Sequence, residues 1–151
     1  MKYEFGCSPK YTGENELALA NGRLGSSDNF RIQWVGFQDV DMFVTIELLK
    51  PTDITSIEAR FLQNQGSWIF LPKGIEYKIS SGGQNYTTIF STSINSGIKS
   101  DATEVFSYPA RCSHENIKYV RVKAVNIGEC PAWHQGTGGK AWVFYDEIII
   151  E

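Results

Sequence analysis

Few residues in this chain are suited to chemistry. There are two histidines (His114, His134), three cysteines (Cys7, Cys112, Cys130) and four tryptophans, among 17 acidic and 14 basic side chains. Nucleophilic catalysis needs a Ser or Cys beside a base that a third group orients, and nothing in the sequence places either histidine in such a set. No Gly-x-Ser-x-Gly elbow is present. Gly138-Gly139-Lys140-Ala141 superficially resembles a phosphate loop. The match fails, because Lys140 is followed by Ala instead of Ser or Thr and His134 stands where the upstream Gly belongs. Glycoside hydrolysis needs two carboxylates across a cleft. Asp146 and Glu147 are neighbours on a predicted strand and are expected to point to opposite faces. Asp39 and Asp41 share a parity, but they sit in a predicted loop with no cleft around them. The cysteines show no CxxC pair and no His at zinc spacing. Their odd number leaves at least one outside any disulfide within the chain, and one disulfide stays open. The expectation is a chain without an active site of its own.

Recognition chemistry is better represented. Trp133 and His134 lie in a glycine-rich loop between two predicted strands, where small polar residues are usual. An indole offers an apolar face to the C–H face of a sugar, and Gln, Asn, His or charged groups can bind its rim of hydroxyls. Gln63, Asn64, Gln65 and Trp68 form a second loop of the same character. Alternatives stand beside each reading. Trp68 could plug the end of the core beside Phe70, the Trp133 loop could be tucked over the fold, and His134 could cap a backbone carbonyl. Trp34 and Trp142 lie in strand patterns and are assigned to the core.

The elements that must position these loops read as strands. Tyr119 to Val125 alternates, with Val120, Val122 and Ala124 on one face, and a further strand runs from Ala141 to Ile150. Phe43 to Leu48 alternates and is predicted to break at Lys50-Pro51-Thr52-Asp53; Ile54 to Leu62 then resumes. Ile75 to Ser80 and Tyr86 to Ser91 form a predicted hairpin around Ser81-Gly82-Gly83-Gln84-Asn85, and Thr103 to Tyr108 is a strand ended by Pro109. No window sustains the 3.6-residue period of an amphipathic helix, beyond one short helical turn at 14–20. Seven or eight short strands joined by turns argue for an all-β antiparallel sandwich.

At 151 residues, without internal repeat or linker, the chain is read as one domain spanning 1–151. The net charge of -3 with 21% charged residues lacks the basic field that holds nucleic acid or anionic lipid. No apolar run approaches the roughly 18 residues of a membrane span, so no membrane insertion is expected, and the N-terminus carries no signal-peptide pattern. A longer parent chain extending upstream of Met1 is expected.

Six segments in order carry a family resemblance: 18–22 (ALANG), 34–37 (WVGF), 66–73 (GSWIFLPK), 80–86 (SSGGQNY), 118–122 (KYVRV) and 132–134 (AWH) through 144–148 (FYDEI). Together they resemble a discoidin-like domain, the coagulation factor five/eight type C superfamily that includes the family 32 carbohydrate-binding modules. More narrowly, the chain is similar to the C-terminal domain of Bacteroides-type family 20 β-hexosaminidases (chitobiases). The resemblance implies a jelly roll of about eight strands with ligand loops at one end. It implies a non-catalytic module that targets a parent glycoside hydrolase to glycans with N-acetylhexosamine or galactose-type termini, packs beside that hydrolase's catalytic domain, and is exported to the periplasm or cell surface. The alternative is a structural accessory domain that packs on the catalytic domain and binds no sugar. For the glycan the candidate residues are Gln63, Asn64, Trp68, Trp133 and His134.

The resemblance also implies a structural calcium ion. Calcium takes six to eight oxygen ligands, and Leu19, Asn21, Leu24 and Ser26 of one loop, with Glu147 matching the family's late Glu, are the implied set. Asn21 stands where the family usually has Asp, which removes a charge. An Asx-type turn closed by Asn21 without an ion is the competing reading.

Overall fold

The period-2 pattern becomes seven strands in the computed structural model, which describes residues 2–3, 6–13, 22–30 and 32–151. They are β1 (Lys2–Tyr3), β2 (Val35–Gln38), β3 (Met42–Gln63), β4 (Gly74–Ser80), β5 (Thr87–Ser93), β6 (Glu104–Val125) and β7 (Trp142–Ile150). All pairings between them are antiparallel, in the order β2-β7-β3-β6-β4-β5, with β1 on β3. The short helical turn expected at 14–20 lies outside the described residues.

Two boundaries differ from the sequence reading. Lys50 to Asp53 does not break the strand, and Pro109 does not end one: β3 and β6 are each continuous over 22 residues. The predicted break coincides with register shifts between Glu47 and Ser56. There the paired strands bend without separating, as bulges allow. Pro109 lies opposite Glu58, in the half of β6 whose partner among the described strands is β3 alone. On such an edge a missing N–H need not interrupt a ladder.

The bends turn the continuous strands into two facing walls. The β3 segment 42–47 pairs with 119–124 of β6, which also pairs β4, while 56–63 of β3 pairs with 104–111 of β6 and with β7. Val44, Val122 and Ile79 from the first wall join Ala59, Phe61, Val143 and Tyr145 from the second in one buried cluster. Tyr77, fully buried on β4, crosses between the walls. Its hydroxyl donates to the Tyr108 carbonyl at 2.7 Å and accepts the Ala59 N–H at 3.1 Å, and burial pushes the phenol well above its ordinary pKa. This is a β-sandwich. Loops 64–73, 94–103 and 126–141 gather at the pole where β3 ends and β6 begins. The Ile94 N–H donates to the Lys73 carbonyl and the Lys73 N–H to the Val125 carbonyl, and Asn126 Nδ2 donates to the carbonyls of Phe37 and Ala141, holding the third loop to the end of β2. The 81–86 turn and the bend of β6 lie at the other pole. Trp34 is fully buried as expected, whereas Trp142 is only half-buried, packed edge-on against Tyr11 and Phe144.

Candidate functional site

Three loops interlock at the first pole, and their backbone amides explain the buried polar side chains. Asn64 caps the 3-10 turn Gln65–Ser67: its Oδ1 accepts the Ser67 N–H at 2.9 Å, and its Nδ2 donates to Thr103 Oγ1 at 2.8 Å. Gln65 is buried and staples the neighbouring loop twice, donating from Nε2 to the Ile98 carbonyl at 2.8 Å and accepting the Ser100 N–H at 2.7 Å. The third loop is locked by His134. Its Nδ1 accepts the Gly136 N–H at 3.0 Å, so Nε2 carries the proton and donates to the Gln65 carbonyl at 2.7 Å.

The two tryptophans divide between structure and surface. Trp68 adopts a left-handed backbone (φ 66°) and is half-buried, its ring filling the space beside Gly136 and Gly139. A Cβ at Gly136 would lie 2.5 Å from that ring, so the glycines of one loop are required by the indole of another. Trp133 is 40% exposed and anchored by its indole N–H, which donates to the Gly97 carbonyl at 2.9 Å.

The result is a cleft of about 300 Å³ with Trp133 on one side, Lys99, Ser100 and Asp101 on another, and Gln65, His134 and Gln135 completing it. Several lysines elsewhere are matched: Lys78 with Glu76, Lys118 with Glu47, Lys123 with Asp41 and Lys140 with Asp39. Lys99 and Asp101, by contrast, have no side-chain partner among the described residues. A fixed indole beside an unengaged cation, carboxylate and amide can stack on an apolar ring face and hydrogen-bond its rim.

Of the residues singled out in the sequence, Trp133 and His134 reach this cleft, but His134 has both ring nitrogens engaged by backbone. It caps a carbonyl, as one of the alternatives held, and organises the loop. Asn64 and Trp68 stand behind the cleft as supports. Gln63 is the buried last residue of β3, opposite Glu104, and does not line it. Lys99, Ser100, Asp101 and Gln135 were missed. The available signal was the position of 94–103, a polar strand-to-strand loop like the one carrying Trp133.

The implied calcium ligands are only partly within the described residues, since Leu19 and Asn21 lie outside them. Glu147 is buried and borders, with Gly22 and Leu24, a cavity of about 560 Å³ whose other walls are aliphatic. The Ser26 carbonyl accepts the Trp34 indole N–H at 2.9 Å and its hydroxyl accepts the Asp28 N–H at 3.1 Å. The described part therefore sets one buried carboxylate beside the loop and supplies only a fraction of a calcium shell. Among the described residues no group of three or more His, Cys, Asp or Glu could hold a metal ion.

The acidic neighbours also differ from the expectation of opposite faces. Phe61 pairs Tyr145 and Ala59 pairs Ile148, so Arg60 faces both Asp146 and Glu147 across a bulge, and both are buried. Asp146 Oδ2 lies 3.1 Å from the Arg60 guanidinium and accepts the Gly25 N–H at 2.6 Å. Burial raises the Asp146 pKa, against the pull of the Gly25 N–H and Arg60. Asp39 and Asp41 are engaged by Lys140 and Lys123.

No protein-family model matches the sequence, and no curated protein matches it. Solved structures do. The family 32 carbohydrate-binding module of AlyQ, in complex with 4,5-unsaturated mannuronic acid, is similar over 99% of this chain and 92% of that one, at 10% identity and a TM-score of 0.56. A family 32 module from a family 31 glycoside hydrolase of Clostridium perfringens is similar over 97% and 90%, at 17% identity and 0.54. The K3 cleaved adhesin domain of Lys-gingipain from Porphyromonas gingivalis is similar over 89% and 82%, at 11% identity and 0.52. At these identities the likeness speaks for architecture: the chain has the discoidin-like β-sandwich fold that family 32 carbohydrate-binding modules share.

Proposed function

We propose that this chain is a non-catalytic carbohydrate-binding module whose glycan contact is the Trp133 cleft. The observation that carries the reading is Trp133 itself. Its N–H is fixed to Gly97 while 40% of the residue is exposed, beside the unengaged side chains of Lys99, Asp101 and Gln135. A structural plug would bury that ring, so its exposure favours binding over the accessory-domain alternative. Trp133 supplies the stacking face, Asp101 and Gln135 accept or donate to hydroxyls, and Lys99 donates. Gln65, His134, Asn64 and Trp68 hold the loops in register, the supporting role that precise sites require.

The finer reading follows the sequence resemblance. The ligand is a glycan with an N-acetylhexosamine or galactose-type terminus. The parent is an exported β-hexosaminidase-like glycoside hydrolase, and the module raises its local substrate concentration through linkage. Titrating isotope-labelled protein with N-acetylglucosamine and galactose to tens of millimolar tests the site. Saturable amide shifts are expected at 97–101 and 132–136, and their absence for both sugars sinks the proposal. A structural calcium ion at the 19–27 loop, with Glu147 as its carboxylate, is proposed with it. Thermal melts should then shift upward with calcium relative to chelator, and a Glu147→Gln protein should lose that difference.

A further inference from the structure

The opposite pole carries a second cleft, built from a motif that the Trp133 site does not use. It measures about 500 Å³ between the 81–85 turn and residues 114–117 of β6. Both walls are pinned. The turn is closed by the buried Ser80, whose Oγ accepts the Gly83 N–H at 2.9 Å, and Gly83 (φ 78°) packs so closely on Tyr119 that a Cβ would lie 3.0 Å from its ring. The facing wall is held by the Asn116 N–H donating to Asp53 Oδ1 at 2.9 Å.

What these walls offer is unengaged. Gln84, Asn85, His114 and Glu115 line the cleft, and their side chains have no hydrogen-bond or ion-pair partner among the described residues; Ile79 and Ile117 are buried at its base. No Lys or Arg lines it. The nearby cations are occupied: Lys118 Nζ donates to the carbonyls of Leu48 at 2.6 Å and Leu49 at 3.1 Å, and Arg121 lies 3.6 Å over the Tyr86 ring. A phosphate or carboxylate ligand would find no Lys or Arg here and would face Glu115. Two carboxamides, an imidazole and a carboxylate around an aliphatic base suit an uncharged ligand with many hydroxyls and an apolar face.

We propose that this cleft is a second, independent site for a neutral sugar ring, giving the module two binding poles. With no aromatic platform it binds more weakly than an indole site of equal polarity. Binding here does not require the Trp133 cleft, and the test separates the two. Labelled protein is titrated with galactose and with N-acetylglucosamine, with glycerol at equal concentration as control. Saturable shifts are expected at the amides of 82–85 and 114–116 for at least one sugar and not for glycerol. They should persist in a Trp133→Ala protein and vanish in an Asn85→Ala/His114→Ala protein whose remaining spectrum is unchanged. Shifts confined to 97–101 and 132–136, shifts matched by glycerol, or loss of both sets in Trp133→Ala would overturn the second site. Shifts at the second pole alone would uphold it while removing the first.

Discussion

Replacing Trp133 by alanine isolates the proposed contact, and the structure sets its size. Full burial of a tryptophan removes about 250 Å² from water, and Trp133 is 40% exposed, which leaves on the order of 100 Å² for a ligand to cover. A sugar covering roughly half to all of that face gains about 1–2.5 kcal/mol at ~25 cal/mol per Å². That corresponds to a loss of about 5- to 70-fold in affinity on truncation. The indole N–H has a second role through its bond to the Gly97 carbonyl, worth about 1 kcal/mol to loop stability. Trp133→Phe keeps a stacking ring and removes that bond, so the pair of variants separates the two. In calorimetric or spectral titrations, Trp133→Phe should stay within about fivefold of the parent, while Trp133→Ala falls by the full amount. Equal losses in both variants would show that anchoring of the 94–103 loop carries the effect. An alanine variant that binds as tightly as the parent would refute the stacking argument outright.

Gln65→Ala removes both staples to the 98–100 segment, costing about 2 kcal/mol. The melting temperature should fall by about 4–8 °C, with faster hydrogen exchange at the Ser100 amide as the local signature. Gly139→Ala drives a methyl into the Trp68 ring and should destabilise by about 1–3 kcal/mol in denaturant titrations; a smaller Trp68→Leu side chain in the same background should recover part of that loss. Asp146 gives a pH dependence of definite sign. Its folded pKa is raised above the ordinary 3.8, so the unfolded chain releases the proton first and the folded state binds more protons in the window above that value. The stability of the parent minus that of Asp146→Asn should therefore decline as pH rises from about 3.8 through the folded pKa. A rising difference in equilibrium unfolding would contradict the assignment.

The fold was legible because its signal is local. The alternation of Val120, Val122 and Ala124, and of Ile75, Tyr77 and Ile79, states which face is buried, and all six are. Continuity was not legible. Lys50-Pro51-Thr52-Asp53 and Pro109 carry strong breaking chemistry, but a bend in a paired strand and an edge position both tolerate it. Nothing local distinguishes those settings from a true end. The bulge at Asp146 and Glu147 escaped for a related reason: register is a property of two strands, here fixed by what stands opposite Arg60.

The cleft shows the same limit more sharply. Trp68 and Trp133 are both tryptophans in polar strand-to-strand loops, and one supports while the other faces solvent. The difference is made at a distance, by Gly136 and Gly139 yielding room to the Trp68 ring and by the Gly97 carbonyl holding Trp133 at the rim. His134 has the chemistry of a ligand contact, but two backbone groups exhaust it. Lys99 and Asp101 look like ordinary surface charges until the anchored Trp133 indole is seen to share their cleft, while Lys78, Lys118, Lys123 and Lys140 have partners elsewhere. A fixed indole with unengaged charges beside it is invisible residue by residue. It appears only when the three loops close on one another, and for this reason the site is better marked by which polar groups remain unengaged than by which residue types are present.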